Sequence, residues 1–189
     1  MRDDSWQEHV GRRVRTLQII VGGIAAGCLV FMVVAIVVGQ QMAAAGAGQG
    51  LEVLTFVAFG FTAMVLAARA VVPAIMVRRG RQAILRGESP VGWRFPEQAA
   101  SMADFYEKTG DAGKLMMLYQ AKTIVAAALL EGPAFFALLV YLLSQDPVAL
   151  ALGGFLIVGL VLHFPTRSGV IRWIEDQLHR IEDSGRMAW

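Results

Sequence analysis

Between Thr16 and Leu51 the chain carries no charged residue, and three more apolar runs follow. The four blocks cover residues 17–39, 53–77, 123–144 and 147–165. A helix rises 1.5 Å per residue, so roughly 20 apolar residues cross the ~30 Å hydrocarbon core of a bilayer. Blocks of this length predict four spans, the fourth being the shortest. Bulk composition agrees: 56% of the residues are hydrophobic and 17% charged, against about 25% charged in soluble domains. The expected fold is all-α, an integral membrane four-helix bundle of two antiparallel hairpins with cytoplasmic amphipathic helices.

Basic residues orient the bundle. The linkers 39–52 and 144–147 hold no Lys or Arg. Every Lys and Arg except Arg69 falls within residues 1–16, the connector 78–122 or the segment after 165. The positive-inside rule then puts both termini and the connector in the cytoplasm, with the chain in the inner (plasma) membrane of a bacterium. A net charge of +2 gives nucleic-acid binding no bulk support. The single cysteine, Cys28, excludes an internal disulfide, and the lack of asparagine excludes N-linked glycosylation.

The polar segments read as short helices. Gly87, Pro90, Gly92 and Pro96 mark a loop in the connector, where Trp93 and Phe95 suit a membrane interface. After it, Met102, Phe105 and Tyr106 share one side of an amphipathic helix that Gly110 ends, and Asp111 can cap the next. The tail, residues 166–184, repeats Val170, Ile171, Ile174, Leu178 and Ile181 at helical spacing, with Trp173 beside them. Its charges nearly balance, with Arg172/Asp176 and Asp176/Arg180 four apart. This tail is expected to lie on the inner leaflet or to pack on the connector.

Two ionisable residues stand inside the apolar blocks. Arg69 lies eight residues from Val77, the cytoplasmic end of the second span, and Glu131 lies eight from Thr123, the start of the third. Both depths come to about 12 Å. Charged groups inside a bilayer are costly and usually face a partner or water. Equal depth in antiparallel helices predicts an intramembrane ion pair between Arg69 and Glu131; the alternatives are an Arg69 that snorkels to the cytoplasmic interface and a protonated Glu131 bonded to a backbone carbonyl. Pro73 and Pro133 are expected to kink the two helices nearby, and Pro73 frees the carbonyl of Arg69 itself. Gly23 and Gly27 form a GxxxG, and Ala149 and Gly153 repeat the spacing; such pairs favour close helix packing.

The stretch ALLEGPAFFALLVYLL, residues 128–143, resembles one found in small uncharacterised bacterial multi-pass inner-membrane proteins with an L-E-G-x-A motif in the third span. The resemblance covers about one helix and implies no activity. The same stretch is similar to the carboxylate helix of rotary ATPase proteolipid subunits. There that helix is the second of a tight hairpin, whereas here it opens the second hairpin.

Other chemistry lacks its residues. His9, His163 and His179 form no ligand spacing, Cys28 stands alone, and no phosphate-cradling glycine loop appears. No catalytic residue, metal or cofactor is expected. The expected role is non-enzymatic: a scaffold or accessory subunit of a membrane complex. Its partners are then the lipid bilayer, together with a second copy or another membrane protein. The alternative is a small proton- or ion-coupled translocator that uses Glu131.

Overall fold

The computed structural model describes residues 5–44, 52–90 and 96–186. Trp93 and Phe95 lie outside the described residues, as does the side chain of Met102. Five helices follow in order: α1 (Ser5–Ala44), α2 (Glu52–Leu85), α3 (Pro96–Ser144), α4 (Pro147–Leu162) and α5 (Arg167–Arg186). Among the described residues there is no strand.

Three stretches are long and apolar enough to cross a membrane: His9–Met42, Val53–Leu85 and Phe105–Ser144. A fourth qualifies only if Pro147–Leu162 and Arg167–Asp183, bent by 69°, are taken as one span. The 16 residues of α4 reach about 24 Å by themselves. That helix starts sharply, because Asp146 accepts a hydrogen bond from the Val148 amide at 2.9 Å and Pro147 follows it. It ends at His163, and Pro165 next in line favours an extended residue before it.

Pro73 and Pro133 lie within α2 and α3, and both helices continue through them. The break in α3 is at Gly110, with φ 56° and ψ −138°. That backbone region is open to glycine and strained for other residues.

The chain divides into two compact units. One comprises Ile20–Val71 and Val125–Phe164. Its core is rich in alanine: Ala25, Ala35, Ala58, Ala127, Ala134 and Ala149 are buried together with Cys28, Leu138 and Leu156. Small side chains let helix backbones approach. Phe31 and Phe135 meet with ring centroids 5.0 Å apart, and Phe61 meets Phe136 at 5.4 Å. The outside is as apolar as the inside, with Val33, Phe56, Phe155 and Leu162 exposed. An exterior of this kind is matched to hydrocarbon rather than water.

The other unit comprises Met1–Ile19, Val72–Ile124 and Pro165–Trp189. Val10, Val14, Ile84, Leu115, Met116, Leu118, Val170 and Ile174 form its core, with Tyr119, Trp173 and Ile181 against it. The tail helix α5 therefore packs within the unit that holds the connector, the second of its two expected placements. Gly80 permits close contact here, since a Cβ at that position would sit 2.6 Å from Leu118 Cδ2.

Candidate functional site

The polar site of the first unit holds Arg69, Ala126, Glu131 and Cys28. Arg69 Nη1 donates to the carbonyl oxygen of Ala126 at 2.6 Å. Among the described residues no ion pair joins Arg69 to Glu131. The expected pair is thus replaced by a charged hydrogen bond to backbone. Ala126 precedes Glu131 by five residues, about 7.5 Å along the axis. The long arginine stem carries its head toward the basic end of the helices, as snorkelling side chains do. The carboxylate of Glu131 instead lies near Cys28 of α1, close enough for an electrostatic interaction. Glu131 and Arg69 are both half-buried.

The small-residue pairs divide. Ala149 is fully buried, and a Cβ on Gly153 would lie 2.9 Å from Leu138 Cγ. That pair is where α4 meets α3. A Cβ on Gly23 or Gly27 would meet nothing within 4 Å, and both residues are exposed. Among the described residues nothing packs against the GxxxG of α1. Leu17, Val21, Ala25 and Cys28 take the buried face of that helix instead.

Two polar constellations had no strong sequence signal. Thr55 Oγ1 donates to Asp146 Oδ2 at 2.7 Å, tying the start of α2 to the cap of α4. Thr55 and Asp146 sit near block ends, where polar residues are ordinary. In the second unit, Lys122 places its ammonium 3.9 Å from the centroid of Trp173 and 4.4 Å from that of Tyr119. Tyr119 stands three residues before Lys122, a helical neighbour legible in sequence; Trp173 comes from α5 and is not. Burial lowers the Lys122 ammonium to about 8. Arg13 makes a similar contact with Phe105, at 4.3 Å.

Among the described residues no three His, Cys, Asp or Glu side chains gather to hold a metal. No family model, no curated protein and no solved structure matches this chain.

Proposed function

We propose that this chain is a non-enzymatic multi-pass protein of a bacterial inner membrane, with both termini cytoplasmic, serving as a scaffold or accessory subunit. The observation that carries the reading is the character of α5. Its Val170 and Ile174 are fully buried, while Arg172, Asp176, His179, Arg180 and Glu182 are exposed on its other side. A helix fixed by its apolar face and displaying mixed charge is suited to a protein partner. The orientation rests on the distribution of Lys and Arg in the sequence.

Deleting the tail is a poor test, because it would remove Val170 and Ile174 from a core. Charge reversal on the exposed face is the better one. The full chain extracted in mild detergent should carry a stoichiometric membrane-protein partner or a second copy. Arg172→Glu combined with His179→Glu should release it while lowering stability by no more than about 1 kcal/mol, the cost of like charges one helical turn apart. A free monomer in the wild type would overturn the scaffold reading. Proton flux in proteoliposomes, abolished by Glu131→Gln, would replace it with the translocator.

A further inference from the structure

Arg78 and Arg81 of α2, Lys122 of α3 and Arg180 of α5 line one cavity of about 400 Å³. Its size falls in the range of small-molecule sites. No carboxylate lines it. The nearest acid in sequence, Asp176, already accepts from Arg180 Nε at 3.0 Å and from Gln177 Nε2 at 2.9 Å. Gln177 also lines the cavity. It is 6% exposed, and its Oε1 has no hydrogen-bond partner. That oxygen is closed off from the cavity, so the groups that face a ligand are the four cations. Lys122 is held at the wall by the rings of Trp173 and Tyr119.

We infer that this cavity binds a phosphate, the chemistry shared by an anionic phospholipid headgroup and a soluble phosphate monoester. The cations balance the phosphate charge, with guanidinium forks suited to its oxygens. Position supports the same chemistry: Arg78 follows the last apolar residue of the second block, and Lys122 precedes the first of the third. In a bilayer these boundaries fall at the headgroup layer. The lipid source rests on the membrane reading above; a soluble glycerophosphate would fill the cavity without it.

The test uses the full chain in nanodiscs of phosphatidylcholine doped with phosphatidylglycerol, followed by native mass spectrometry of the released protein. Incorporation into the discs checks the membrane reading separately. In detergent, calorimetry with glycerol 3-phosphate and with inorganic phosphate forms the second arm. The expected result is retention of phosphatidylglycerol over phosphatidylcholine by at least ~tenfold, lost in Arg78→Gln/Arg81→Gln. Should that double variant melt early, the exposed Arg78→Gln alone is read instead. Binding of glycerol 3-phosphate, lost in the same variants and without lipid preference, assigns the site to a soluble ligand. Equal retention of both lipids with no binding of either phosphate overturns the inference, as does retention unchanged by the arginine variants.

Discussion

At the residue scale, the bond from Arg69 to the Ala126 carbonyl makes a distinction that can be measured. A charged hydrogen bond of this kind contributes about 1.5–3 kcal/mol. Arg69→Gln is expected to lower stability in detergent by about 1–2 kcal/mol, discounting for its half-exposed position. Glu131→Gln combined with it should add independently, with a coupling below about 0.5 kcal/mol. Denaturation of the two single variants and the double variant gives that coupling, and a larger value would bring back the direct pair. Lys122 supplies a second residue-level prediction. Burial lowers its pKa from 10.5 to about 8. The unfolded chain therefore binds more protons between those two values, and stability contributed by this group rises with pH across that window. The cation–π contacts act the other way, favouring the charged form. The melting temperature of the wild type should climb relative to Lys122→Met from pH 8 to about 10.5. A constant difference between the two would show that Lys122 keeps its ordinary affinity for the proton.

Elements differ in how far their sequence betrays their contacts. The two small-residue pairs look alike in sequence, yet only Ala149 and Gly153 pack within the chain. A GxxxG marks a face that could be approached; whether a helix comes there depends on where its neighbours run, which is tertiary information. Gly153→Val should overpack against Leu138 and Ala134 and cost about 1–3 kcal/mol. Gly27→Val meets open space and should leave monomer stability within about 0.5 kcal/mol. Thermal melts of both variants check this, and a fall in assembled mass for Gly27→Val alone would assign that face to a second copy. The break at Gly110 was legible because glycine ends helices through positive φ, the conformation it adopts. Pro73 and Pro133 do not end their helices, which run on through both. Arg69 takes the snorkelling alternative rather than the pair with Glu131. Depth counted along a helix locates a Cα, whereas a flexible arginine places its charge several ångströms away.

For the whole molecule, the helical class and the membrane-length helices were legible because hydrocarbon imposes a length that can be counted in residues. The fourth span is the weakest, since α4 has only 16 residues and α5 turns away at 69°. The core around Ile84, Leu115 and Ile174 was less legible. It draws on four separate helices, and each shows only an amphipathic stripe with no mark of its partner. Helix α1 alone tests the transmembrane arrangement. Arg12 and Gln41 are both exposed on it and stand 29 residues apart, about 44 Å of helix. That length exceeds the ~30 Å of hydrocarbon, so the two positions should emerge on opposite sides. With Cys28→Ala removing the buried thiol, single cysteines at positions 12 and 41 are labelled by a membrane-impermeant maleimide on intact cells. The cysteine at position 41 should react at once, and the one at position 12 only after the membrane is opened. Simultaneous labelling of both would mean that α1 lies along the surface, where the exposed apolar faces of the helices would need a protein rather than lipid to cover them.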